Sequence, residues 1–262
     1  MEYKFIKFGV SDGVATITFN RPDLLNSFNI EMGWNVQDAL KKCTENEEVR
    51  VVLITGEGRA FSAGQDLAEA VPKDQPLADL GKILDENYNP TIKLIREIEK
   101  PVIAAVNGVA AGAGANLALA CDIVLASEKA AFVQAFSKIG LIPDSGGTYF
   151  LPRLIGFQKA SALMMMGDKI SAHDAEKLGM IYKVFSETDF SEKVNEIAEQ
   201  IAKMPTRGLV LTKKALNLSM NNNLDDQLEV EKQLQVAAGN TRDYKEGVKA
   251  FLEKRKPEFI GK

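Results

Sequence analysis

Asp144 stands between an apolar Leu141-Ile142-Pro143 run and a Ser145-Gly146-Gly147 turn. That setting is open to two readings. A carboxylate that projects from an apolar wall loses hydration, so its pKa rises and it becomes a useful base near neutral pH. An aspartate just ahead of a helix is equally a standard N-cap, which needs no ligand. Two further segments offer main-chain chemistry. Ala60-Phe61-Ser62-Ala63-Gly64-Gln65-Asp66-Leu67 follows an apolar run, and its small residues and Gly64 let a ligand approach the backbone N–H groups closely. Asn107-Gly108-Val109-Ala110-Ala111-Gly112-Ala113-Gly114-Ala115-Asn116 also follows an apolar run and opens a helix, so its first N–H groups lie at the positive end of a helix dipole. Gly112-Ala113-Gly114 begins a GxGxxG dinucleotide loop, but Leu117 stands where its last Gly or Ala belongs. A ligand-free βα loop and close helix–strand packing account for the two segments separately. Together they admit a sharper reading, in which each lends one N–H to a single carbonyl oxygen. In such an oxyanion hole the loss of one donor costs about 3–4 kcal/mol of barrier lowering.

Other chemistry is constrained by what the chain lacks. With one histidine, His173, a zinc site built on several imidazoles is excluded and a Ser-His-Asp triad would have to use this ring. The sequence around it, Ser171-Ala172-His173-Asp174, reads as the first turn of a polar helix face. Cys43 and Cys121 are far apart, without metal-ligand spacing, and suit a reducing compartment. Cys121 reads as a small buried hydrophobe and Met164-Met165-Met166 as packing. A net charge of −4 gives no basic footprint for nucleic acid, although Lys249 to Lys256 forms a local basic segment able to receive a phosphorylated ligand. The N-terminus opens with charges and lacks a signal-peptide core, and no apolar run approaches the roughly 18 residues of a membrane span. A soluble, cytoplasmic protein is expected.

The elements that must position these residues are legible as patterns. At 262 residues, with 45% hydrophobic and 26% charged, the chain can bury a large core and is not a disordered composition. Tyr3 to Val10 and Val14 to Phe19 predict a hairpin about Ser11-Asp12-Gly13. A helix is predicted from Asn29 to Thr44, with Met32, Val36, Ala39 and Leu40 on its buried face. Val49 to Thr55, Val102 to Val106 and Ile123 to Ala126 read as buried strands. A helix from Leu77 to Ile98 ends before Pro101. This alternation implies parallel sheet with right-handed crossovers. From about residue 145 the chain reads as helices near 145–155, 157–167, 171–178, 189–203, 206–220, 225–238 and 241–254, with one strand at Ile181 to Val184.

The three motifs in this order, preceded by Asn20-Arg21-Pro22, resemble the enoyl-CoA hydratase/isomerase (crotonase) superfamily over nearly the whole chain. Phe61-Ser62-Ala63-Gly64-Gln65-Asp66 and Asn107 to Gly114 make the likeness specific. The resemblance implies an α/β fold, a spiral core of ββα turns over residues 1–200, and a C-terminal helical region over 201–262 that serves oligomerisation and completes the coenzyme A site. It implies that the backbone N–H groups of Gln65 and Ala113 hold a thioester oxygen. Leu25, Ala63, Asp66 and Leu67 fall where members line coenzyme A. Lys254, from this subunit or a neighbouring one, falls where a residue can approach the coenzyme A phosphates. Coenzyme A is then part of the substrate, no separate cofactor or metal is expected, and members commonly form trimers or dimers of trimers.

Departures from the family pattern shape the expected activity. Hydratases of the family usually carry two catalytic glutamates, and here those positions are Asn116 and Phe136. Asp144 falls where hydratases have a small residue and several isomerases and dehalogenases have aspartate. The run Phe136 to Gly147 is most similar to the ring-1,2-epoxyphenylacetyl-CoA isomerase branch of phenylacetate degradation. Adding water usually wants two groups, whereas moving a double bond needs one carboxylate that removes a proton and returns it elsewhere. The expectation is therefore an acyl-CoA isomerase acting on a double bond or a ring epoxide, with Asp144 as proton shuttle and Asn116, Phe136 and Leu141 in the acyl pocket. Enoyl-CoA hydratase activity, a nucleophilic Asp144 as in dehalogenases, and a catalytically lapsed acyl-CoA-binding scaffold are the alternatives.

Overall fold

The alternating residues of β1 (Ile6–Ser11) and β2 (Val14–Phe19) pair antiparallel, Ser11 opposite Val14. Asp12 and Gly13, both at positive φ, close the hairpin. Every second residue of β2, namely Ala15, Ile17 and Phe19, faces the core. The computed structural model describes residues 3–71 and 78–262; Leu77, the expected start of a helix, lies outside the described residues. The first sheet continues in parallel through β3 (Val51–Gly56), β5 (Val102–Val106), β7 (Ile123–Ser127) and β10 (Lys183–Phe185) in the order β1-β2-β3-β5-β7-β10. Strand β5 is buried at all five positions, as a parallel strand covered on both faces must be.

A second sheet, which the sequence patterns do not anticipate, has the order β4-β6-β8-β9. Its members are β4 (Ala60–Ser62), β6 (Val109–Ala111), β8 (Ala131–Val133) and β9 (Lys169–Ser171), with β9 antiparallel to β8 and the rest parallel. Three-residue strands are too short for alternation to register, so Ala60 to Leu67 reads as loop although it opens as buried strand. The chain thus passes from the first sheet to the second and then into a helix, from β3 through β4 and from β5 through β6. This is the expected spiral of ββα turns.

The helices are α1 (Ile30–Glu45), α2 (Leu67–Ala70), α3 (Leu80–Ile83), α4 (Asn89–Glu97), α5 (Ala113–Leu119), α6 (Gly147–Ile155), α7 (Phe157–Met166), α8 (Ala172–Lys177), α9 (Phe190–Ala202), α10 (Thr206–Ser219), α11 (Leu224–Gly239) and α12 (Arg242–Glu253). Asn29 caps α1 by accepting from the Met32 N–H, and the four predicted core residues are buried. The single helix expected to end at Ile98 is instead interrupted by a π-helical turn, Leu84–Tyr88. Pro90 is the cause: it has no N–H for the Glu86 carbonyl, and Gln37 Nε2 donates to the carbonyls of Glu86 and Asn87 at 3.0 Å each. Of the three methionines of α7 Met164 packs on the core, whereas Met165 and Met166 face outward, contrary to the packing role expected of all three.

Helix α10 is tied to the core by Lys213, whose ammonium donates to the carbonyls of Ile95 (2.7 Å) and Lys100 (3.2 Å) and pairs with Asp122 at 2.9 Å. Helix α11 buries no residue. Asp243 of α12 accepts from the N–H groups of Ile260 (2.8 Å) and Gly261 (2.7 Å), which holds the last residues against that helix. Among the described residues no helix is long and apolar enough to cross a membrane.

Candidate active site

The two small-residue segments meet. Gly64 has a φ of +87°, and a Cβ there would lie 2.8 Å from the Ala111 carbonyl oxygen and 3.3 Å from the Ala113 nitrogen. Only glycine permits both the backbone conformation and the approach. The Phe28 N–H donates to the Gly64 carbonyl (2.7 Å) and the Asp66 N–H to the Phe28 carbonyl (2.8 Å). In that parallel bridge residue 65 turns its own N–H away from Phe28. Ala113 is the first residue of α5, where no helical acceptor exists for its N–H. Neither the Gln65 nor the Ala113 N–H has a partner among the described residues. Two main-chain donors therefore stand where the Gly64 loop meets the start of α5.

Asp144 does not cap a helix with its side chain. Helix α6 begins after Gly146, without any side-chain cap, and the Asp144 contribution there is its carbonyl, which accepts from the Gly147 N–H at 2.8 Å. Ser145 and Gly146 both take positive φ, 50° and 75°. A serine in that region costs on the order of 1 kcal/mol, a strain that surrounding contacts must hold. Those contacts are visible. Ser145 Oγ donates to Asp144 Oδ1 at 2.8 Å, and Asn116 Nδ2 donates to the Asp144 carbonyl at 2.9 Å. Gln134 Nε2 in turn donates to Asn116 Oδ1 at 2.8 Å. Gly147 leaves room for this bracket, since a Cβ there would lie 2.3 Å from Asn116 Nδ2. Burial raises the Asp144 pKa above its ordinary value, and the bonds from Ser145 and its own backbone oppose that shift without cancelling it.

The remaining expected residues are placed as follows. Asn116 is wholly buried, with its amide occupied by Gln134 and the Asp144 main chain. The Phe136 ring lies 3.7 Å from where a Gly112 Cβ would stand, beside the Ala113 donor. Leu141 is partly exposed near the Asp144 turn. Leu25 and Ala63 adjoin through an Ala63 N–H to Leu25 carbonyl bond of 2.9 Å. Leu67 is exposed. The Asp66 carboxylate pairs with Arg21 at 2.8 Å and accepts from the Ala68 N–H, so its side chain organises the donor loop. Lys254 stands exposed at the end of α12, and no hydrogen bond or ion pair joins it to the donor loops. Ser145, Gln134 and Tyr88, whose hydroxyl donates to Gln65 Oε1 at 2.9 Å, were not singled out from sequence. Nothing in their local sequence marks them, because the partners of Gln134 and Tyr88 lie 18 and 23 residues away and that of Ser145 depends on the turn. His173 is exposed on α8, and Cys121 is buried with its thiol pushed up to about 12.

Known proteins resemble this chain in sequence and in fold. The family model described as enoyl-CoA hydratase/isomerase matches residues 9–262. The chain is 47% identical over 260 residues, 99% of each chain, to the 1,2-epoxyphenylacetyl-CoA isomerase of Escherichia coli (strain K12). It is 41% identical over 262 residues, the full length of both, to a protein of Rhodobacter capsulatus named "Probable enoyl-CoA hydratase". The crystal structure of an enoyl-CoA hydratase from Bacillus anthracis superposes with a TM-score of 0.92 at 34% identity, covering 99% of this chain and all of that one.

Proposed function

The chain belongs to the enoyl-CoA hydratase/isomerase family, and from that premise we propose that it is an acyl-CoA isomerase in which Asp144 alone shuttles the proton. The carboxylate removes a proton from the carbon next to the thioester of a 3,4-unsaturated acyl-CoA. The electron pair moves into the thioester carbonyl, whose oxygen is held by the N–H groups of Gln65 and Ala113. Protonated Asp144 then returns the proton two carbons further along, and the double bond ends between carbons 2 and 3. Nothing is added or lost. A ring-epoxide CoA thioester is the corresponding ring-derived substrate, by analogy with the name of the Escherichia coli relative, and would give the chain a place in phenylacetate degradation.

One observation carries the reading. Asp144, whose carbonyl is bonded to Asn116 of the helix that Ala113 opens, has its pKa raised by burial, and this supports its role as the base, while Asn116 and Phe136 stand where the family's hydratases carry the two glutamates used in water addition. The Asn116 amide is already bound to Gln134 and the Asp144 main chain, which leaves it unable to replace an acid. Phe136 gives the acyl group an apolar wall. Coenzyme A would lie along Leu25, Ala63, Asp66 and Leu67, with Lys254 of this or a neighbouring subunit toward its phosphates.

Asp144→Asn tests the reading. Exchange of the acyl-chain proton with deuterated solvent should disappear and kcat fall by about 10³-fold, within the range for removal of a general base, while acyl-CoA binding measured by calorimetry survives. In the unaltered protein, activity needs the ionised carboxylate. It should therefore fall as pH drops through the raised Asp144 pKa, at a higher pH than an ordinary aspartate would give. Wild-type-like turnover by the variant would defeat the proposal. Rapid loss of the conjugated absorbance of 2-enoyl-CoA substrates would favour hydration instead, and binding with no turnover on any thioester would favour a lapsed scaffold.

A further inference from the structure

Tyr88 is 2% exposed, carries an ionisable hydroxyl and has no part in the proton transfer described above. A backbone irregularity delivers it to the site. The π-helical turn Leu84–Tyr88, forced by Pro90, accommodates one extra residue and so changes which side chains face the core; such turns recur at functional sites. The Tyr88 ring packs against Phe28 with centroids 5.9 Å apart, and its hydroxyl donates to Gln65 Oε1 at 2.9 Å. Gln65 Nε2 donates onward to the Asp66 carbonyl at 3.2 Å.

The donor N–H belongs to the Gly64–Gln65 peptide. One edge of that peptide is fixed by the Phe28 N–H, which bonds its carbonyl oxygen at 2.7 Å. On the other side stands Gly64, which has no side chain to fix the orientation of the peptide. The neighbouring amides are held as well, the Gly64 N–H by Ser62 Oγ at 3.2 Å and the Asp66 N–H by the Phe28 carbonyl at 2.8 Å; the Gln65 side chain is a further handle on the peptide, and Tyr88 holds it. Burial, and then the charges of Asp144, Glu69 and Asp66, push the Tyr88 hydroxyl well above its ordinary pKa, so it is a neutral donor at neutral pH.

We propose that Tyr88 is a positioning residue, whose hydroxyl anchors the Gln65 side chain and thereby aims the Gln65 backbone N–H at the thioester oxygen. The proposal rests on the reading of Gln65 as an oxyanion donor. Its test uses Tyr88→Phe, which keeps the ring against Phe28 and removes one oxygen. The probe is a chromophoric cinnamoyl-CoA thioester, whose absorption moves to the red when N–H donors polarise its carbonyl. The variant should bind the probe within about threefold of the parent but show a smaller red shift. Its kcat on a 3,4-unsaturated acyl-CoA should fall about tenfold with KM little changed, less than the 10²–10³-fold that follows outright loss of a donor. Gln65→Leu should reproduce these effects, and adding Tyr88→Phe to it should change nothing further, because both remove the same bond. A red shift and kcat equal to the parent's in Tyr88→Phe, or additive losses in the double variant, would overturn the role of Tyr88 alone. A parent protein that binds the probe with no red shift at all would overturn the donor pair itself, and Tyr88 with it.

Discussion

The site-bearing α/β region and the C-terminal helices invert the usual surface rule in opposite directions. Around the site, polar side chains are buried: Asn116 is wholly enclosed, and Gln134, Ser145 and Tyr88 are each about 2% exposed. In the C-terminal region, large apolar side chains face outward, with Phe251 at 83%, Leu252 at 74% and Leu224 at 72% exposure. Buried polar groups are costly unless bonded. Those of the site are spent on holding the Asp144 carbonyl, the Asp144 carboxylate and the Gln65 side chain in place. Exposed apolar groups in such number mark a surface that something covers. A homotrimer or dimer of trimers is the proposal that would cover it. In the proposed mechanism the two donors and the base come from one protomer, whereas the proposed oligomer would draw on the outward-facing apolar side chains of the C-terminal helices.

Three substitutions would break or sharpen that contrast. The largest effect is expected from Gly64→Ala, whose Cβ would strike the Ala111 carbonyl at 2.8 Å in a backbone conformation alanine resists. Displacing the Gln65 donor should lower kcat by about 10²-fold. A variant with unaltered kcat would mean that the meeting of the two loops has no bearing on turnover. Lys213→Met addresses the joint between the regions. It removes a cation bonded to two buried carbonyls and to Asp122, and should cost about 3 kcal/mol in urea unfolding. A loss below 1 kcal/mol would show that α10 is held by its apolar face instead. The smallest effect on the protomer is expected from Phe251→Ser, within about 0.5 kcal/mol for a side chain so exposed. Its effect should appear in sedimentation, as weakened self-association. A large loss of stability in a variant that sediments like the parent would place Phe251 in a core rather than at an interface.

Much of this was legible along the chain. Period-two burial in β2, the continuous apolar run of β5 and the capped, amphipathic α1 follow from side-chain spacing alone, as do the C-terminal helices to within a few residues. The second sheet was not legible, because Ala60–Ser62, Val109–Ala111, Ala131–Val133 and Lys169–Ser171 are each shorter than one readable repeat. The π turn was implicit in Pro90, but its consequence, the delivery of Tyr88 to Gln65, depends on where the helix lies. Met165 and Met166 read as packing because apolar residues usually are; their outward facing is a property of the protomer's shape.

Sequence by itself determined the residue types available for chemistry: small residues ahead of two helices, one aspartate after an apolar run, and no carboxylate at positions 116 and 136. Those are local properties, carried by backbone freedom and side-chain identity. Tertiary structure alone decided that the two donor segments converge at Gly64, that Asp144 turns its carboxylate to Ser145 and away from the α6 start, and that Asn116, Gln134 and Tyr88 hold the parts in place. The reason is physical. A hydrogen bond between residues far apart in the chain depends on ångström-scale distances set by packing, and no spacing along the sequence encodes them.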